Sequence, residues 1–230
     1  MHHYDLHENP CTKAGSMGKS HAEEMNFWTK AEFEQFIVAV QDKPASYTAF
    51  MTLYYTGMRV GELCALTPAD VNLVGHTITI NKTFQRINGR DVIWPPKTPK
   101  SNRVVTIPQT LANCLKEYMD KCYEIQPDDR LFPYTKSFLN HEMLRGCKKS
   151  GVKKIRVHDL RHSHASLLIE MGCQPLLIAD RLGHEKIQTT LNTYSHLYPN
   201  KQAEVAAQLE NVMNGTTVPN GSQMAGVANL

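Results

Sequence analysis

Apolar residues at helical spacing open the ordered part of the chain. Phe33, Phe36, Ile37 and Val40 follow Thr29-x-x-Glu32, a pattern in which hydroxyl and carboxylate each close a free backbone N–H at a helix start. A helix over 29–41 is predicted. Ala45 to Thr56 reads as a second apolar helix ended by Gly57, and Gly61 to Ala65 as a third, stopped near Pro68. The period then falls to two. His76-Thr77-Ile78-Thr79-Ile80 alternates, and Val104-Val105-Thr106-Ile107 is strand-like before Pro108. Between them lie Asn88-Gly89, a hairpin signal, and Pro95-Pro96-Lys97-Thr98-Pro99. Residues 76–107 are therefore expected to form a small antiparallel sheet with a proline-rich turn. Helical patterns return at about 109–124, 136–150, 158–171, 175–182, 186–194 and 202–213. The expected fold class is α+β, mainly α: a helical domain over 27–213 with one small antiparallel sheet. Residues 1–26 show no apolar period and carry Asn9-Pro10 and Gly15-Ser16-Met17-Gly18, which reads as a linker or extension. Residues 214–230, rich in Gly, Asn, Ser and Thr, read as a flexible tail.

Composition narrows the class. Of 230 residues 41% are hydrophobic and 20% charged, which suits a globular protein with a real core. No run of about 18 apolar residues exists, so no membrane span is expected. The first residues lack the apolar stretch of a signal peptide, and a cytoplasmic location follows by default. Six cysteines (Cys11, Cys64, Cys114, Cys122, Cys147 and Cys173) form no CxxC pair and read as reduced thiols. The net charge of +3 is unevenly spread. Residues 82–103 hold Lys82, Arg86, Arg90, Lys97, Lys100 and Arg103 against Asp91 alone. Residues 145–161 hold seven bases, Lys148 and Lys153 among them, against Asp159 alone. Such blocks suit a polyanion-binding face or two solvated surface segments, and charge leaves both open.

Candidate chemistry is dispersed. Gly18-Lys19-Ser20 matches the end of a phosphate-binding loop, but the position five residues before Gly18 is Lys13 rather than glycine, which rejects it. His158 and Arg161 are three apart, on one helical face that can cradle a phosphate, or they are simply a helix-start histidine and an exposed arginine. His158 and His162, at i and i+4, have a spacing zinc can use. No Cys or carboxylate completes that set, so no metal is expected. Arg59 and Glu62 can be a surface ion pair, His184 a capping histidine after Gly183, and Tyr194 an ordinary core tyrosine.

In this order, however, the pieces resemble the tyrosine recombinases, the integrase family of DNA strand-exchange enzymes. Thr56-Gly57-Met58-Arg59-x-x-Glu62-Leu63 is similar to that family's first arginine motif. His158-Asp159-Leu160-Arg161-His162-Ser163-His164-Ala165-Ser166 is similar to its second. Leu182-Gly183-His184, followed by Thr189-Thr190-Leu191-Asn192-Thr193-Tyr194, is similar to its third. The resemblance covers about residues 27–213, and its wording is that of integrases from phages and conjugative transposons of Gram-positive bacteria.

The resemblance implies roles. Tyr194 is the nucleophile, forming a 3′-phosphotyrosyl link and releasing a 5′-hydroxyl. Arg59 and Arg161 grip the phosphate with forked donors, and His184 adds a hydrogen bond. Lys97 is the general acid, with Lys100 a rival three residues on, and His158 is the base for the tyrosine proton. Glu62 and Asp159 are supporting residues. Lys82, Arg86, Lys100, Arg103, Lys148 and Lys153 are the expected DNA contacts. Cofactors are expected to be none, neither ATP nor metal. The partners implied are double-stranded DNA, a homo-tetramer on two duplexes, and excisionase or DNA-bending accessory proteins. The family's integrases carry core-site and arm-site binding domains before this one. The chain is therefore expected to begin in an interdomain linker and to bind DNA weakly and salt-sensitively by itself. The segment from Lys201 to Met213 can dock on a neighbouring protomer or pack in cis. A type IB topoisomerase and a non-catalytic DNA-binding regulator are the alternative readings.

Overall fold

A computed structural model describes residues 25–96 and 98–198, with residues 206, 209, 210 and 212–214 of the segment beyond. Expectations for residues 1–24, for Lys97 and for the tail from 215 lie outside the described residues. Of the helix expected over 202–213, residues 206, 209, 210, 212 and 213 are described and are helical.

The chain runs α1 (Lys30–Ala39), α2 (Pro44–Thr56), α3 (Val60–Ala65), then β1 (Val71–Asn72), β2 (Thr77–Ile80), β3 (Thr83–Ile87), β4 (Arg90–Trp94) and β5 (Arg103–Thr106). Helices α4 (Gln109–Asp120), α5 (Lys136–Ser150), α6 (Asp159–Glu170), α7 (Pro175–Leu182) and α8 (Ile187–Tyr194) follow. The expected cap at the start of α1 is formed: Thr29 N donates to Glu32 Oε2 at 2.8 Å and Glu32 N to Thr29 Oγ1 at 3.3 Å. Helix α4 ends at Asp120, short of the expected 124, and beyond it Glu124 turns the chain with a left-handed φ of 46°. Among the described residues no helix is long and apolar enough to cross a membrane.

The one expected sheet is two. Strands β1, β2 and β5 form an antiparallel sheet in the order β1-β2-β5, while β3 pairs with β4 alone. Asn88 and Gly89 both have positive φ, 49° and 77°, the backbone that a two-residue hairpin turn demands. The hairpin therefore closes on itself, and β5 pairs with β2 instead.

Most large apolar side chains share one core, which includes Trp28, Phe33, Phe36, Phe50, Tyr54 and Phe132. A second, smaller cluster joins Ala165 and Ile169 of α6, Ile178 and Leu182 of α7, and Tyr194 of α8. Trp28 ties the start of the fold to this region, its backbone N–H donating to Ser163 Oγ at 2.9 Å. Between α2 and α3 the chain turns at Gly57, whose φ of 65° and lack of Cβ are both needed: a Cβ there would lie 2.6 Å from the His164 ring. That turn sets the direction in which Arg59 leaves the backbone.

Candidate active site

Arg59 stands at the start of α3. Its backbone N–H donates to Glu62 Oε2 at 2.8 Å and its Nη1 to Glu62 Oε1 at 2.9 Å. The Glu62 side chain is 7% exposed, so this is no surface pair. It is also held from the other side. Arg103 Nη2 donates to Glu62 Oε2 at 2.9 Å and Arg103 Nη1 to Oε1 at 3.3 Å. Burial alone would raise the Glu62 carboxyl; the Arg103 and Arg59 contacts outweigh it and hold the group below the usual carboxylate range.

Arg103, expected among the DNA contacts, has its guanidinium turned to partners inside the protein. Its side chain is 7% exposed, and its remaining donors go to the Arg181 carbonyl at 2.9 Å and the Ser101 carbonyl at 3.1 Å. The guanidinium is consumed in orienting Glu62 and the loop that follows α7. Of the other expected contacts, Lys82 lies 2.7 Å from Asp70, Arg86 pairs with Asp91 across the β3–β4 hairpin, and Lys153 lies 3.4 Å from Glu32. Lys100 and Lys148 are exposed.

Helix α6 presents the second group. Arg161 is 4% exposed; its Nη1 donates to the Gly57 carbonyl at 2.8 Å and its Nη2 to the Leu182 carbonyl at 2.7 Å. This one side chain therefore joins the turn before Arg59 to the turn before His184. Burial and the nearby Arg59 push its pKa down, yet a guanidinium stays charged at any physiological pH. Asp159 is 2% exposed and accepts from the backbone N–H of Arg156 at 2.8 Å and from its Nη2 at the same distance, which fixes the start of α6.

His184 follows Gly183, which ends α7 with a φ of 69°. Its Nδ1 shares a 2.8 Å hydrogen bond with Thr190 Oγ1 of α8. Burial, then the Arg161 and Arg59 charges, pushes the ring down to about 4, so it is neutral at neutral pH. Tyr194 is 1% exposed, and burial pushes its hydroxyl up to about 12 while Arg161 pulls the other way. The hydroxyl lies 2.9 Å from Nδ1 of His162. In the sequence His162 was weighed as a zinc ligand and stood within the second arginine motif without a role of its own; its partner is the tyrosine. Among the described residues no group of His, Cys, Asp and Glu is placed to hold a metal ion.

A cleft of about 810 Å³ opens over these loops, with Arg59, Lys82, Lys136, Arg156, His158 and His184 in its lining. Lys136 and Arg156 were not singled out in the sequence. Pro96 and Thr98, the chain neighbours of Lys97, also line the cleft. An array of fixed cations over a concave surface attracts a phosphate backbone.

The buried histidines make stability depend on pH. Burial pushes His164 down to about 3 and, with nearby charges, His184 down to about 4, against 6.5 for an ordinary histidine. As pH falls below 6.5 the unfolded chain takes up protons that the folded chain refuses. The stability present above pH 6.5 is therefore progressively lost towards pH 4, before most carboxylates titrate. Melting temperatures measured across that interval should fall with pH, and His164→Asn should flatten the fall. A pH-independent melting temperature there would contradict the burial of these rings.

Solved structures define the class. The chain superimposes on the Tn1549 transposon integrase in complex with circular intermediate DNA with a TM-score of 0.70 at 22% identity, covering 83% of this chain and 68% of that one. On the catalytic domain of bacteriophage HP1 integrase the TM-score is 0.58 at 21% identity, covering 83% of this chain and 98% of that one. The fold is thus that of a tyrosine recombinase catalytic domain. Sequence agrees: the Phage integrase family profile matches residues 26–201, and the chain belongs to that family. It is 33% identical over 227 residues to the ICEBs1 integrase of Bacillus subtilis (strain 168), covering 93% of this chain and 61% of the relative. It is 35% identical over 175 residues to the integrase of Staphylococcus phage L54a, covering 69% of this chain and 49% of the relative. The chain therefore spans about half to three-fifths of the length of these relatives.

Proposed function

We propose that this chain is the catalytic part of a site-specific DNA recombinase that cuts and rejoins strands through a 3′-phosphotyrosyl link, integrating or excising a mobile element. The observation that carries the reading is the convergence on Arg161. One buried guanidinium binds the carbonyls that precede Arg59 and His184 in their turns, and its charge reaches the Tyr194 hydroxyl. Four chain segments that share no local sequence are brought to one anionic-ligand site.

In this reading Arg59 and Arg161 hold the non-bridging oxygens of the scissile phosphate, where negative charge grows as the fifth bond forms. With Thr190 donating to its Nδ1, His184 carries its proton on Nε2 and donates a further hydrogen bond to the phosphate. Tyr194 attacks, the 5′-oxygen leaves, and the bond energy is retained in the protein–DNA link until a 5′-hydroxyl attacks in turn. The lysine on the β4–β5 turn, Lys97 by its sequence pattern, protonates the leaving oxygen. The substrate is double-stranded DNA, and synapsis of two duplexes calls for a tetramer, with excisionase or DNA-bending proteins as accessory partners. Lys82, Lys136 and Arg156 contact the DNA backbone from the cleft.

The test is covalent capture. The chain is incubated with nicked duplexes whose central segment is randomised, and SDS-resistant adducts are recovered. An adduct with DNA joined at its 3′-phosphate is expected; its absence across the library overturns the reading. With a captured sequence as substrate, Arg161→Lys should form adduct about 100- to 1,000-fold more slowly, because a point ammonium cannot serve both carbonyls and phosphate as the fork does.

A further inference from the structure

We propose that His162 is the general base of strand cleavage, taking the proton of the Tyr194 hydroxyl on its Nδ1. This rests on the strand-cleavage reading above. His158 was expected in that role, but the geometry divides the two histidines. His158 lines the cleft. It is His162 whose Nδ1 meets Tyr194 Oη at 2.9 Å, across 32 residues of chain from α6 to α8. The His162 ring stands edge-on to that of His158, centroids 5.7 Å apart, and lies the same 5.7 Å from the tyrosine ring.

A base must be neutral before the reaction and able to hold a proton during it. His162 is half-buried, and burial followed by the facing His158 ring lowers its pKa, so it is neutral near pH 7. The groups around it are Asp159 and Arg161 of α6, His158 at its N-cap, Arg156 of the preceding loop, and Tyr194 of α8. Asp159 is the acid among them and favours the imidazolium when it forms. Arg161 favours the developing phenolate, lowering the Tyr194 pKa against the effect of burial. The pair is thus arranged for transfer in one direction as the phosphate is attacked.

The step balances. The Oη–H bond breaks and the proton passes to Nδ1; an Oη electron pair forms the bond to phosphorus. The P–O5′ bond breaks with its electrons on O5′, which takes a proton from the general acid opposite. On rejoining, the 5′-hydroxyl attacks, gives its proton back to that acid, and Nδ1–H returns a proton to the departing Oη.

Two measurements test this. In the intact chain labelled with ¹⁵N-histidine, Nδ1 of His162 should be unprotonated and Nε2 protonated near neutral pH. A proton on Nδ1 would make Tyr194 the acceptor and overturn the proposal, whatever any variant does. In single-turnover cleavage of a captured nicked duplex, His162→Ala should form adduct at least about 100-fold more slowly, the range a general base supplies. The acidic limb of its pH–rate profile should disappear, and added imidazole should restore the rate in proportion to its free-base form. His162→Gln, which keeps a polar side chain in the same space, should be equally slow while melting near the wild-type temperature. Cleavage by the Gln variant within about threefold of wild type would sink the assignment, as would a wild-type pH profile in a slow Ala variant that imidazole leaves unchanged. A wild-type chain that forms no adduct at all instead refutes strand cleavage, and the nitrogen spectrum still reports on His162.

Discussion

Tyr194→Phe should form no covalent adduct with any duplex that the wild-type chain captures, and should remain folded. The side chain is 1% exposed within the cluster of Ala165, Ile169, Ile178 and Leu182, and phenylalanine fills the same space. What is lost is one hydroxyl and its hydrogen bond to His162. A bond of that kind contributes about 1 kcal/mol net, so the melting temperature should move by only a few degrees. Gel analysis after SDS treatment and a thermal melt on one preparation check both halves. An adduct from the Phe variant would put the nucleophile elsewhere. Tyr198 is the nearby candidate, but its hydroxyl lies 3.5 Å from the Cys173 carbonyl, on another loop.

Arg103→Met should be among the most destabilising single changes at the site. The substitution fills much of the volume but leaves the Glu62 carboxylate, 7% exposed, without its two-toothed partner. Removing one member of a buried pair costs about 3–5 kcal/mol, and the bonds that Arg59 still gives Glu62 place this loss towards the lower figure. In a domain of this size about 3 kcal/mol lowers the melting temperature by roughly 6–12 °C. Glu62→Gln in the same background should recover part of the loss, since the under-compensated buried charge is gone, and the two changes should combine to less than their sum. If Arg103→Met melts with the wild type, the buried pair does not support the fold as described. Loss of the anchor should also slow adduct formation in any molecules still folded, because Glu62 is what fixes Arg59.

Much of this was legible in the chain. The cap at Thr29 and Glu32 and the apolar period after it marked α1, and Gly57 marked the end of α2, because both signals are local. The alternation of Thr77 to Ile80 was legible because one face of β2 is buried. Strand β3 was not, since four of its five residues are wholly or partly exposed outside the buried Phe84, and a solvated hairpin imposes no alternation. The arginine motifs marked Arg59 and Arg161, but they could not separate an exposed cation from a buried one. Arg103 looked like a surface base because it stands in a basic block; its partners, Glu62 and the Arg181 carbonyl, lie 41 and 78 residues away. His162 was hidden for the same reason: no spacing rule links α6 to a tyrosine on α8.

The two carbonyls that Arg161 binds have a further meaning. Gly57 and Leu182 stand at the C-terminal ends of α2 and α7, so two helices direct their negative poles at one guanidinium. A buried cation would otherwise be costly, and those poles make it tolerable. The arginine has thus lost its water shell when the chain folds. On the proposed reading a phosphate that docks beside it need not strip that water, and the field offered to the transition state is already in place and already aimed.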